Sequence, residues 1–381
     1  MREGWEYKKL GEICYITMGQ SPDGKSINDN EGVEFHQGKT CFGERTLGVS
    51  SLFSNAPVKL AEAHSVLLCV RAPVGYPNIT NRKICIGRGL CALYAKKDID
   101  NTFLFYSLLG KQSHFEKNAT GSTFKAISSK VISNTEIPLP PKSIQLAIVS
   151  ELDKINELIR LKKEQLKDYD NLAQSIFYEM FGDPVENEKG WEVKKIGDLA
   201  IVKTGPFGSM LHKEDYITDG IPLINPVHLK DFKIVPDKEF TISKEKACDL
   251  KNYMLQNNDV VFARRGDIGR CAIVSKTEHG YLCGTGSLFV RFTEDIESVF
   301  IMYIVRCESF SKHLVSKAKG ATMLNINSNT IADLGIILPP LPLQHLFAQR
   351  IEQIERQKSA VQKSITDLET LLASRMQYWF E

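Results

Sequence analysis

The strongest constraint on this chain is that its pattern occurs twice. Ile137-Pro-Leu-Pro-Pro141 is followed by Gln145 and a helical pattern running to about Phe181. Ile336-Ile-Leu-Pro-Pro340 is followed by Gln344 and a helical pattern running to the C-terminus. Pro141 and Pro340 are 199 positions apart (340 − 141), and so are Gln145 and Gln344, and Phe181 and Phe380. A register held over that distance marks a duplication, and a repeat of this size sets the domain plan before any other signal.

The duplicated stretches should be long helices. A proline pair stops the preceding segment and biases the residue before it towards extended backbone. Neither Gly nor Pro then interrupts 143–181 or 343–381. Each helix would be ~38 residues and ~57 Å long at 1.5 Å per residue, a length that suggests a coiled coil. Ile148, Leu152, Ile155, Ile159, Leu166, Tyr169, Ala173 and Ile176 advance in steps of three and four, with one wider gap at Lys162. Phe347, Ile351, Ile354, Val361, Ile365, Leu368 and Leu372 do the same, with Lys358 on the seam. Such steps build a knobs-into-holes seam, and the matched registers favour the two helices pairing with each other rather than packing on separate domains.

The repeat extends upstream. Gly4-Trp-Glu6 matches Gly190-Trp-Glu192, Leu10-Gly-Glu-Ile13 matches Ile196-Gly-Asp-Leu199, and Gly19 matches Gly205, all at an offset of 186 (190 − 4). Arg71-Ala-Pro-Val-Gly75 resembles Arg265-Gly-Asp-Ile-Gly269, Gly87-Arg-Gly89 pairs with Gly284-Thr-Gly286, and Ala119-Thr-Gly-Ser-Thr123 with Ala318-Lys-Gly-Ala-Thr322, while the offset grows to 199. Start motifs and helices therefore stay in register while the middles diverge in length. Surface loops tolerate such change and carry function, so the two middles should touch different things. Within them, short apolar runs at 65–71, 90–94, 259–263 and 287–292 read as strands, and 102–111 and 298–315 as helices. The fold expected is α+β: two repeated domains, each a twisted, mostly antiparallel sheet with helices, and two long helices that pair with each other as a coiled coil. The domain plan is 1–141, a spacer helix 142–182, a second domain 183–340 and a second spacer helix 341–381.

Composition excludes several classes. A net charge of +2 and a pI near 8.0 neither demand nor forbid nucleic acid. The N-terminus carries no apolar signal core and no run approaches a membrane span. The nine cysteines form no CxxC pair and read as free thiols of a reducing cytoplasm. The histidines show no metal spacing, and neither a G-x-S-x-G elbow nor the Asn/Asp-Pro-Pro-aromatic motif of an amino-methyltransferase occurs. Gly19-Gln-Ser-Pro-Asp-Gly24-Lys25-Ser26 does fit the phosphate-binding pattern G-x-x-x-x-G-K-[ST]. That chemistry requires a helix to begin at the loop. The following Ile-Asn-Asp-Asn-Glu-Gly-Val has no helical period, so the loop is read as polar surface.

What the middles offer instead is basic and amide side chains beside glycine turns. In the first these are Lys25, Gln37, Lys39, Arg45, Arg71, Arg82, Lys83, Arg88 and Lys125; in the second, His212, Lys213, Asn225, His228, Lys230, Arg264, Arg265, Arg270, Asn325 and Asn327. Arg and Lys suit guanine edges and phosphates, and Asn and Gln suit adenine. Any one of them alone reads as a solvated surface group. As a set in the divergent regions they point to DNA.

With these motifs in this order, twice, the chain resembles the specificity subunit of a type I DNA restriction–modification enzyme over essentially its whole length. The carriers are Gly-Trp-Glu with Leu10-Gly-Glu-Ile13, Ala119-Thr-Gly-Ser-Thr123, and Ile137-Pro-Leu-Pro-Pro-Lys-Ser-Ile-Gln145, each with its second copy. One departure is Ile337, where the first copy has Pro138. The resemblance implies two target-recognition domains, each reading half of an asymmetric split site in double-stranded DNA, held apart by antiparallel helices. It implies a non-catalytic chain without a cofactor of its own. Its partners would be two adenine-N6 methyltransferase subunits using S-adenosylmethionine, and translocase–nuclease subunits using ATP and Mg²⁺, all in the cytoplasm. The competing reading is a coiled-coil adaptor whose two globular domains bind proteins.

Overall fold

The computed structural model describes residues 5–121, 125–207, 210–266, 268–293, 296–318 and 325–380. Gly4, Ser122, Thr123, Asp267 and residues 319–322 of the repeated motifs lie outside the described residues. The chain divides into two compact units, Met1–Lys163 with Lys363–Glu381, and Glu164–Gln362. Each unit thus holds one globular part together with one half of each long helix.

In unit one, strand Glu6–Lys9 pairs antiparallel with Glu136–Leu139. The central sheet runs Cys14–Met18, Leu90–Ala95, Val66–Cys69, Pro77–Ile79, all antiparallel. A second sheet contains a parallel pair, Val33–His36 beside Ile84–Ile86. Unit two repeats this plan: Val193–Lys195 with Gly335–Ile337; then Ala200–Thr204, Ser287–Phe292, Val260–Ala263, Cys271–Ile273; then the parallel pair Ile221–Ile224 and Leu282–Cys283.

The apolar runs at the two sheet centres have one cause. Val66 and Leu68 face the helix Asn101–Gly110 and Ile148 and Leu152 of the first long helix, whereas Leu67 and Cys69 face Ile84, Ile86 and Leu90. Val260 and Phe262, against Val261 and Ala263, divide in the same way. A strand buried on both faces is apolar at every position rather than at alternate ones. The sequence expected one helix over 298–315, but the structure has two, Ser298–Arg306 and Glu308–Lys317, broken at an extended Cys307. The first segment is apolar and buried on most sides. The second buries only Phe310 and Leu314, so the chain turns to put each against its own surroundings.

The long helices span Lys142–Phe181 and Leu341–Phe380, 40 residues each. In unit one they pair antiparallel: Glu151 holds Arg375 and accepts from Trp379 Nε1 at 3.1 Å, and Lys163 reaches Glu369 at 3.1 Å. In unit two Lys358 Nζ lies 2.9 Å from Asp170, and the rings of Phe177 and Phe181 meet Phe347. The predicted seam is buried at Ile148, Leu152, Ile155, Ile159, Ala173, Phe347, Ile351, Ile354, Val361 and Ile365. Ile176, placed on it by spacing, is only partly buried, and the fully buried residue is its neighbour Phe177. The heptad rule yields there to the globular core, into which Phe177 packs against Phe300 and Tyr303.

The shared register of Gln145 and Gln344 in the two copies has a structural reason. Each is buried, and each donates Nε2 to the carbonyl five residues back, Pro140 or Pro339, at 2.8 Å. Each Oε1 accepts a backbone N–H at the entry to a domain helix, from Asp100 at 2.9 Å or Glu297 at 3.2 Å. The repeated glycines Gly19 and Gly205 are likewise forced: a Cβ there would lie 2.1 Å from the Gly87 carbonyl and 2.0 Å from that of Gly284. No helix among the described residues is long and apolar enough to cross a membrane.

Candidate nucleic-acid interface

In unit one the parallel strands Val33–His36 and Ile84–Ile86 end together and release two facing loops, Gln37-Gly38-Lys39 and Gly87-Arg88-Gly89. The loops touch closely, since a Cβ on Gly89 would lie 2.1 Å from the Gln37 carbonyl. Strand Val66–Cys69 ends beside them, with Val70 N–H donating to Gly89 O at 2.9 Å and Arg71 bridged to Ala126. The result is a cleft of about 280 Å³ lined by Gln37, Lys39, Thr40, Cys69 and Arg71, with no acidic side chain among the described residues of its lining. Arg88, beside Gly89 of its lining, and Lys125, beside the Ala126 that bridges Arg71, are exposed, and Lys39 Nζ sits 4.6 Å above the Tyr76 ring. Burial pushes the Cys69 thiol up to about 11, so it is neutral and unreactive there.

Unit two builds the same place from different residues. Asn225 follows Ile221–Ile224, the loop Gly284-Thr285-Gly286 follows Leu282–Cys283, and Arg264 and Arg265 follow Val260–Ala263. Arg264 N–H donates to Gly286 O at 3.1 Å, and Arg265 is bridged to Asn325. Gly286 N–H donates to Asn225 Oδ1 at 3.4 Å. Arg264 is buried, with its guanidinium 5.9 Å over the ring of the exposed Phe207. Burial lowers its pKa, and the neighbouring Arg265 lowers it further. Phe207 was missed by sequence reasoning, although a bulky aromatic directly after Gly205-Pro206 in a turn is a signal for it.

Other candidate side chains serve the frame. Arg82 grips Glu34 with Nε and Nη2 at 2.6 Å each and also donates to the Leu47 and Gly48 carbonyls. Burial opposes the Glu34 charge, but Arg82, the Ser50 N–H and His36 bring its pKa down to about 2. Arg45 pairs with Asp153 at 2.5 Å, which also accepts from Tyr106 at 2.6 Å, tying domain one to its long helix. His228 is buried, with Nδ1 accepting from Asn225 N–H, and burial lowers its pKa. His212 caps the turn Lys213–Asp215, and Asn327 caps the helix Ser328–Ala332 by accepting from Thr330 N–H. Arg270 lies just before strand Cys271–Ile273, and its carbonyl accepts from Ala263 N–H. Lys83 pairs with Glu62, and Lys230 is exposed on a short hairpin. Lys25 and Lys213 are exposed on separate turns. The Lys25 turn is a single 3-10 turn capped by Asp23, which accepts from Lys25 N–H, and an extended strand follows it. It opens no α-helix.

A frame built twice thus gathers amide and cationic side chains on the same loops in each copy. The model of the type I restriction modification DNA specificity domain matches residues 2–168 and 188–370, and the chain belongs to that family. Among its relatives, a putative type I restriction enzyme specificity subunit MjaX of Methanocaldococcus jannaschii is 40% identical over 178 residues, 46% of this chain and 42% of that protein. The chain thus spans under half the length of that relative. The MjaIX specificity subunit of the same organism is 23% identical over 96% of this chain and 90% of its own length. The fold matches a chain of a solved structure that concerns complex assembly and conformational transition of the type I restriction–modification system, with a TM-score of 0.70 and 18% identity over 100% of this chain and 98% of the other. It also matches the type I specificity subunit of M. genitalium, with a TM-score of 0.55 and 15% identity over 99% and 96%.

Proposed function

We propose that this chain reads an asymmetric, split DNA site, one half per unit, on behalf of a restriction–modification complex. The observation that carries this is the duplicated convergence of loops at the ends of the parallel strand pair. The same loops converge in both copies, yet Gln37, Lys39 and Arg88 give way to Asn225, Val227 and Thr285. One backbone with two sets of reading groups suits two half-sites of different sequence. Cations and backbone N–H groups would hold phosphates, while amide and guanidinium side chains would address base edges. The long helices, shared by both units, would set the spacing of the half-sites as a semi-rigid spacer.

In this reading the chain itself transfers no group. It docks two adenine-N6 methyltransferase subunits, whose S-adenosylmethionine supplies the methyl group. Translocase–nuclease subunits driven by ATP and Mg²⁺ join them in the cytoplasm. Expressing the chain with its methyltransferase partners and mapping methylated adenines is the test. A split motif with two unlike halves is expected, together with DNA retention that falls steeply with salt. Retention that is indifferent to salt, and no motif, would favour the protein-binding adaptor instead.

A further inference from the structure

The two loop clusters differ in one buried slot. Val70 and Arg264 are the same position of the repeated frame. Their N–H groups donate to Gly89 O and Gly286 O at 2.9 and 3.1 Å, and their carbonyls accept from Ile127 and Ile326 at 3.0 and 2.9 Å. Val70 is 3% exposed, and Arg264 fills the equivalent slot at 6%. Its Nε and Nη1 are buried with no hydrogen-bond partner, and the buried Oδ1 of Asn325 beside Arg265 also has none. The Arg264 side chain forms no ion pair with any acid among the described residues; its neighbour is the Phe207 ring, itself 55% exposed. A guanidinium removed from water without a counter-ion is costly unless a ligand brings the acceptors.

We infer that Arg264 is the specificity-determining residue of unit two, donating its planar fork to the O6 and N7 acceptors of a guanine once Phe207 is displaced from over it. This rests on the reading of the two loop clusters as DNA-binding. A phosphate offers the same paired acceptors. Burial within the loop cleft, behind an aromatic ring, favours the edge of a base, because phosphate contacts are ordinarily made from side chains standing at the surface, as Arg71, Arg265 and Lys125 do. Val70 can make no such contact, so the half-site read by unit one takes no guanine at the equivalent position through this slot.

The test uses the full chain in complex with its methyltransferase subunits and a DNA library randomised across both half-sites. Arg264→Gln removes the fork. Arg264→Val restores the residue that the same frame already accommodates in unit one, so folding is preserved, and the motif of the other half-site reports it. Both variants should relax one G·C position in one half-site by about tenfold or more, leaving the other half-site unchanged. Unaltered preference, a relaxed A·T position, or uniform weakening on all sequences with a shallower salt slope, the mark of a phosphate contact, each overturns the inference while leaving the split-site reading intact. A wild-type complex without any sequence preference overturns both.

Discussion

Glu34 shows why a basic residue in a divergent loop is not necessarily a DNA contact. Its carboxylate is 11% exposed and lies between Arg82, His36 and the Ser50 N–H. Its pKa falls from an ordinary 4.5 to about 2. A carboxylate depressed on folding stabilises the native state fully above its unfolded pKa, and that contribution is lost as pH falls through the folded value. Glu34→Gln should therefore cost ~3 kcal/mol near neutral pH. The difference from wild type should shrink between about pH 4.5 and 2, read by urea unfolding across pH. Arg82→Ala should destabilise comparably, because it leaves Glu34 buried without its partner. Neither should change base preference at any site position except through lost stability. A motif altered by Arg82→Ala at wild-type stability would return Arg82 to the recognition surface. By contrast, Arg71→Ala should weaken or relax only the half-site of unit one, and Arg265→Ala only the other.

The long helices owe their anchoring to single side chains as much as to their seams. Gln145 joins the Pro140 and Asp98 carbonyls to the Asp100 N–H, and Asp100 in turn caps the helix Asn101–Gly110 through Thr102 and Phe103 N–H. Gln145→Leu would fill the same volume but leave a buried N–H and two carbonyls without partners. The expected cost is ~3 kcal/mol, given 1–3 kcal/mol per buried orphan, measured by thermal or urea unfolding of the full chain. Gln344→Leu should cost less, because among the described residues that side chain makes two bonds, to Pro339 and Glu297, against three for Gln145. Equal costs, or none, would mean the junctions are held by the proline pairs alone. The turn at Lys25 should be indifferent to substitution. Lys25→Ala removes an exposed side chain from a 3-10 turn held by Asp23, and nucleotide-dependent steps of the complex should survive it.

The duplication also makes a prediction about the entire chain. Adding one heptad after Ile159 and one after Val361 keeps both apolar seams in phase. Each helix gains ~10 Å at 1.5 Å per residue, equivalent to ~3 bp of duplex at 3.4 Å per step. The extra base pairs also rotate one half-site by about a third of a turn, so affinity should fall. Methylation mapping of the lengthened chain should find a wider gap between two unaltered half-sites. An unchanged gap, or new bases in either half, would mean these helices do not set the spacing.

Much of the architecture can be read from the chain alone, and the reason is local. Proline pairs, the buried glutamine five residues after the first of them, and glycines pressed against a facing carbonyl each leave a mark at a fixed position. The duplication prints every mark twice. The end of the first long helix at Phe181 and the apolar centres Val66–Cys69 and Val260–Ala263 follow from the same local signals. The proposed recognition surface is different. Gln37, Lys39 and Arg71 converge because strands distant in sequence pair side by side, while Arg82, chemically their equal, is claimed by Glu34, 48 residues away. Arg264 looks like Arg265 on paper, yet one is buried in the slot that Val70 fills and the other is exposed. Residue type states what a side chain can bind. Whether it is free to bind depends on neighbours that pairing between remote strands brings to it.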